Sequence, residues 1–287
     1  MRNKTALITG ATGGLGTEFA NIHAAKGGDL LLVGRNQEKL DAMKKELEEK
    51  YTGKVRLFAV DLSEPDAADR IYAFTKEQEI QIDYLINNAA FGGRGEFAVR
   101  TMEQDLSMLS VNVVTVTKLL KLFLPDFIRR GEGKILNVSS TAALTPGPLQ
   151  AEYYATKAYV TSLSNAIWQE VKGSGVTVTA LMPGAMKTGF AEASDMSKTP
   201  LFANAVSPVG VAKAGYDGML KGKLNVFAGL PGWQKPFMSL MPMFPKKPVM
   251  KMIYEMQKEK RKEMKSYGSI CGGWSVWKIS CFFWNKS

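Results

Sequence analysis

Thr5-Ala6-Leu7-Ile8-Thr9-Gly10-Ala11-Thr12-Gly13-Gly14-Leu15-Gly16 is the stretch that decides the fold. Residues 4–9 read as a short buried strand that breaks at Gly10, and a helical pattern through Phe19, Ala20 and Ala24 follows. Glycines at a strand-to-helix turn permit positive φ and let backbone amides approach a pyrophosphate, which the helix N-terminus also favours electrostatically. Gly10, Thr12, Gly14, Leu15 and Gly16 are therefore candidate cofactor-binding residues. Their spacing, Thr-Gly-x-x-x-Gly-x-Gly, differs from the commoner Gly-x-Gly-x-x-Gly of dinucleotide-binding turns.

Outward from that turn, strands are predicted over residues 29–34, 55–60, 82–86, 133–138, 176–181 and 224–228. Helices are predicted over 37–51, 65–78, 102–130 and 209–220, with a further one carrying Tyr153. Such alternation predicts an α/β fold: a single Rossmann-type, doubly wound parallel sheet of about seven strands with helices on both faces. A dinucleotide-binding catalytic domain over residues 1–229 would include a lid at about 189–207, mixed in polarity and irregular. A helical C-terminal extension would occupy 230–265, and a disordered tail 266–287.

Ligands of such sheets bind at the carboxyl ends of the strands. The second strand ends in Gly34-Arg35-Asn36, where a carboxylate would accept from a ribose 2′-hydroxyl and repel a 2′-phosphate. No carboxylate stands there; Arg35 offers a planar fork suited to phosphate, so NADP(H) is preferred to NAD(H). The third strand delivers Asp61-Leu62, with Asp61 placed to hold an adenine edge, and the fourth closes on Asn87-Asn88-Ala89-Ala90. Tyr153 and Lys157, four residues apart, share a helix face. A phenol of pKa about 10 needs roughly 4 kcal/mol to act near neutrality, the attraction expected of one ammonium about 4 Å away at an effective dielectric near 20. Asn112 lies in the apolar stripe of Leu109, Val113 and Val116, where a buried amide needs a partner.

Composition bounds the alternatives. A chain of 287 residues, 45% hydrophobic and 22% charged, can bury a sizeable core without staples. Its two cysteines, Cys271 and Cys281, form no Cys/His cluster, so no metal is expected, and a reducing, cytoplasmic setting is. His23, the only histidine, falls in a helix expected at the surface, in a solvated or packing role rather than in a Ser-His-Asp machine. No signal peptide is expected ahead of the first strand, nor any apolar run long enough to span a bilayer. Much of the net charge of +10 lies late, at Lys246-Lys247 and over 258–265. The plain reading is a solvated helix face; anionic lipid and phosphorylated cofactors are the other candidates, and no nucleic-acid partner is expected.

From about residue 5 to 228 the chain resembles the short-chain dehydrogenase/reductase family. The resemblance rests on Thr9-Gly10-x-x-x-Gly14-x-Gly16, Asp61-Leu62, Asn87-Asn88-Ala89, Asn112, Ser140 with Tyr153-x-x-x-Lys157, and Pro183-Gly184 with Thr188, all in order. It implies an oxidoreductase that exchanges hydride between NADP(H) and a carbonyl or secondary alcohol. Tyr153 would be the general acid/base, Ser140 would hydrogen-bond the carbonyl oxygen, and Lys157 would lower the tyrosine pKa and bind the nicotinamide ribose. Asn112 would hold a relay water, Asn88 and Ala89 would line the ribose, and Thr188 and the backbone after Pro183 and Gly184 would orient the carboxamide. Two departures stand out: Ala90 replaces the glycine that usually closes Asn-Asn-Ala-Gly, and Gly13 stands where NADP-preferring members often place a basic residue. The Met-, Phe- and Trp-rich segment 231–256 is similar to the extensions of members that reduce apolar or acyl-type ketones. A homodimer or homotetramer is implied. A charged helix to Lys265 and the aromatics Trp274, Trp277, Phe282, Phe283 and Trp284 offer a membrane-surface contact. The rival expectation is a non-catalytic NADP(H) sensor on the same fold.

Overall fold

The strands form in the order of the chain: β1 (Thr5–Thr9), β2 (Asp29–Gly34), β3 (Val55–Ala59), β4 (Tyr84–Asn87), β5 (Gly133–Val138), β6 (Val176–Pro183) and β7 (Asn225–Ala228). In the computed structural model, which describes residues 4–232 and 234–258, they make one parallel sheet ordered β3-β2-β1-β4-β5-β6-β7. A strand buried on both faces must send apolar side chains both ways, and β1 does so. Ala6 and Ile8 join a core with Phe19, Leu40 and Tyr216, while Leu7 joins the opposite core with Ile71, Leu120 and Phe127.

The first core is roofed by α1 (Gly14–Ala25), α2 (Gln37–Lys50) and α8 (Pro208–Leu220), the second by α3 (Ala67–Glu77), α5 (Val116–Arg130) and α6 (Ala151–Glu170). Local chemistry sets the ends. Asn36 caps α2 by accepting from Lys39 N at 2.8 Å, a Thr101/Gln104 capping box starts α4 (Met102–Leu109), and Gly131 stops α5 in the left-handed region at φ 72°.

Several expectations need correction. His23 is fully buried, not on a surface. Its Nε2–H donates to the Lys4 carbonyl at 2.9 Å, which fixes the tautomer, and Nδ1 accepts from the Tyr216 hydroxyl at 2.6 Å. A Cβ on Gly28 would collide with this imidazole, so the turn after α1 needs glycine there. The helix expected over 102–130 is interrupted by a π turn, Ser110–Thr115. That whole helical stretch, Met102–Arg130, is also long and apolar enough by composition to cross a bilayer, with mean hydropathy 1.5 in its best window, contrary to the sequence expectation. Val116, Leu119, Leu120, Phe123 and Phe127 nonetheless face the sheet as a core stripe.

The lid segment is more ordered than the sequence implied. It contains α7 (Phe190–Ala193), a 3-10 turn at Pro200–Phe202 and a parallel bridge between Met186 and Val206. Beyond β7, the extension forms α9 (Gln234–Leu240) and α10 (Lys246–Gln257). The helix expected to continue to Lys265, both cysteines and the aromatic tail lie outside the described residues.

Candidate active site

The chain reverses its direction of strand addition between β1 and β4, so the loops leaving these neighbours part and open a crevice. A cavity of about 630 Å³ occupies it. Of the residues expected from sequence, Gly10, Thr12, Gly14, Leu15, Arg35, Asp61, Leu62, Asn88, Ala89, Ser140, Tyr153, Lys157, Pro183, Gly184 and Thr188 line this cavity. Gly16 and Asn112 do not.

The glycine turn fits a pyrophosphate. Gly10 holds φ 62°, and a Cβ there would come within 2.9 Å of the Ala89 backbone. A Cβ on Gly14 would meet Thr188 Cγ2 at 2.5 Å, closing the crevice between the turn and the β6 loop. Gly16 packs against the Gly10 and Ala11 backbone instead of facing the cavity. α1 starts with no side-chain N-cap and no acidic residue in its first turn, so its leading amides are available to an anion. Thr9, which opens the glycine motif but was assigned no role from sequence, ties the two loops together: its Oγ1 accepts from Asn88 N at 3.0 Å and Ala89 N at 3.1 Å. Asn88 Nδ2 in turn donates to the Thr9 and Gly10 carbonyls, both at 3.0 Å.

At the β2–β3 end of the crevice, the exposed Arg35 guanidinium lies 3.9 Å from Asp61 Oδ2. Asp61 Oδ1 accepts from the Ser63 amide and hydroxyl, both at 2.8 Å. Those bonds and the arginine outweigh partial burial and hold the carboxyl below its ordinary pKa. Oδ1 is thus engaged by Ser63, while Oδ2 has only the arginine at 3.9 Å, and the residue lines the cavity.

The chemical end is built by β5 and α6. Ser140 leaves β5 in extended backbone with its Oγ accepting from Ala142 N at 3.0 Å. Tyr153 and Lys157 lie one turn apart on α6, with Nζ 5.7 Å from the centre of the tyrosine ring. Both are buried, and burial governs their acid strength. Desolvation raises the Tyr153 phenol far above its ordinary value, a hydrogen bond with Ser140 offsetting part of the rise. Desolvation also lowers Lys157 to about 7. In the protein alone, burial is the largest influence on the phenol. Lys157 Nζ donates to the Val138 carbonyl at 2.8 Å, which ties the amine to the end of β5.

Asn112 sits behind the cavity in the π turn. Its Oδ1 accepts from Phe91 N at 3.1 Å, and Nδ2 donates to the Phe91 carbonyl at 2.9 Å and Thr156 Oγ1 at 3.2 Å. The amide is satisfied, and it clamps the loop after β4 onto α6. The lid closes the far side: Phe190 lies 5.2 Å from Tyr153 ring to ring, and Phe202 stacks on Phe190 at 6.4 Å. Arg94 Nη2 holds the lid at Asp195 Oδ2, 2.6 Å away. This end of the cavity is walled by the rings of Tyr153, Tyr154, Phe190 and Phe202. Gln150, Tyr154, Phe190 and Phe202 also line the cavity and were not singled out from sequence. Tyr154, beside Tyr153, was within reach of such a reading; the lid was expected over 189–207, but its ring contact with Tyr153 joins residues far apart in the chain. No cluster of metal-ligating side chains exists among the described residues.

The family model described as short chain dehydrogenase matches residues 4–198. A very-long-chain 3-oxoacyl-CoA reductase of Mus musculus is 33% identical over 191 residues, covering 65% of this chain and 61% of that relative, so the match spans less than two thirds of its length. Among solved structures, a 7β-hydroxysteroid dehydrogenase superposes with a TM-score of 0.78 at 26% identity, covering 88% of this chain and 96% of the other. A short-chain dehydrogenase from Sphingobium yanoikuyae in complex with NADPH gives 0.74 at 28% identity, covering 85% and 97%.

Proposed function

The chain belongs to the short-chain dehydrogenase family, and from that premise we propose that it is an NADP(H)-dependent oxidoreductase interconverting a carbonyl and an alcohol on a fairly apolar substrate. The observation that carries this reading is the convergence of Ser140, Tyr153 and Lys157 on one cavity whose far wall is Phe190 and Phe202. The 3-oxoacyl-CoA reductase among its relatives makes acyl-type ketones the first class to test.

A bound nicotinamide would supply or accept the hydride. Tyr153, kept protonated by its burial, would give its proton to the carbonyl oxygen during reduction, and that is the form a general acid needs. Ser140 Oγ would donate to the same oxygen and stabilise the charge that develops on it. Lys157, with a pKa of about 7, would return a proton toward the phenol and hold the ribose. Asn112 would fix the floor of the site by joining the Phe91 backbone to α6. Thr188 and the backbone at Pro183 and Gly184 would orient the carboxamide, and Arg35, steadied by Asp61, would select the 2′-phosphate. Residues 1–229 would act as the catalytic domain, in a homodimer or homotetramer, with the C-terminal tail as the segment touching a membrane surface.

Purified protein should consume NADPH, read by its absorbance, with long-chain 3-oxoacyl thioesters and bulky apolar ketones. Tyr153→Phe should lower kcat by about 10²–10⁴, the usual worth of general acid catalysis. Turnover undiminished in that variant would remove the mechanism.

A further inference from the structure

The family model ends at residue 198, yet a helix well beyond it reaches the candidate active site. Val249, Ile253 and Gln257 form the inner stripe of α10 at helical spacing, and Ile253 packs in one cluster with Met108, Ala142, Tyr153 and Tyr154. Gln257 is fully buried, and its Nε2 donates to the Tyr154 hydroxyl at 3.0 Å. Its Oε1 has no partner, so the side chain is held in this orientation by that single bond. Tyr154 lines the cavity and meets Tyr153 edge-on at 6.2 Å and 76°. The same helix touches the lid turn Pro200–Phe202, and Phe202 leads through Phe190 back to Tyr153. α10 thus grips the proton donor from two sides, through the wall at Tyr154 and through the lid.

We propose that Gln257 is a positioning residue: through Tyr154 it couples docking of the C-terminal helix to the placement of Tyr153 and the lid. A buried amide bonded to one phenol is an expensive way to fill space, since leucine would pack there without an orphaned carbonyl. Its polarity is explained if it fixes the angle of the Tyr154 ring against Tyr153. The inference rests on the reductase reading for its kinetic consequence but not for the contact itself.

The test uses Gln257→Leu, Tyr154→Phe and the double variant in the full chain, read by hydrogen exchange without substrate and by steady-state kinetics with NADPH. Gln257→Leu is expected to speed amide exchange at the start of α6 and at Leu201 and Phe202. It should lower kcat/KM about tenfold, with NADPH affinity within twofold of the parent. Tyr154→Phe should act alike, and the double variant no worse than either, because both remove one bond. Exchange confined to α10 with kcat/KM within twofold, or NADPH affinity falling in step with kcat/KM, would overturn the inference. If the parent reduces no carbonyl, the reductase reading fails, and the exchange pattern still decides whether the coupling exists.

Discussion

Lys157 is a lysine buried in the candidate active site. Lys157 is lowered to about 7 while an unfolded lysine titrates near 10.5, so the unfolded chain binds more protons between those values. The penalty for burying the ammonium is complete below about pH 7 and relieved as pH rises toward 10.5. Lys157→Met is therefore expected to melt several degrees higher than the parent at pH 6, by differential scanning fluorimetry, with the gap narrowing by pH 9. A gap that widens with pH would contradict the sign. Arg35 bears on cofactor choice in the same direct way. Arg35→Ala should weaken NADPH binding about tenfold in calorimetry and leave NADH almost unchanged, whereas equal losses would show that the guanidinium serves adenine packing instead.

Elements were legible where their signal is local. The Gly10–Gly16 turn, the alternating apolar strands and the Tyr153/Lys157 spacing each fix a backbone need or a shared face within a few residues. What escaped the sequence depends on partners far along the chain. The burial of His23 needs Tyr216, nearly two hundred positions later, and the π turn at Asn112 serves the Phe91 backbone. The α1–α8 clasp gives a test at this scale. Tyr216→Phe leaves His23 Nδ1 buried without a donor, which should cost about 1–3 kcal/mol in urea unfolding. Burial also lowers the His23 pKa, so the unfolded imidazole takes up a proton first as pH falls through about 6.5, and the fold weakens there. His23→Gln should flatten that acid limb; an unchanged limb would mean that other groups set it.

At the scale of the whole molecule, a parallel sheet supplies a crevice at its switch point, and the chain lines it with two phenols, one amine and an aromatic lid. More of the cavity lining was named from sequence at the glycine turn than around the aromatic lid, because backbone approach to a dinucleotide demands glycine at set positions. An apolar lid demands only bulk. Transfer from NADPH deuterated at C4 tests the proposed chemistry most directly, with the alcohol product of an apolar 3-oxoacyl or bulky ketone substrate analysed by mass spectrometry. The parent protein should place one deuterium on the carbinol carbon, and Tyr153→Phe, binding NADPH as tightly, should place almost none in the same time. Equal labelling by both proteins, or none by the parent with any carbonyl offered, would contradict the proposed role of the buried phenol.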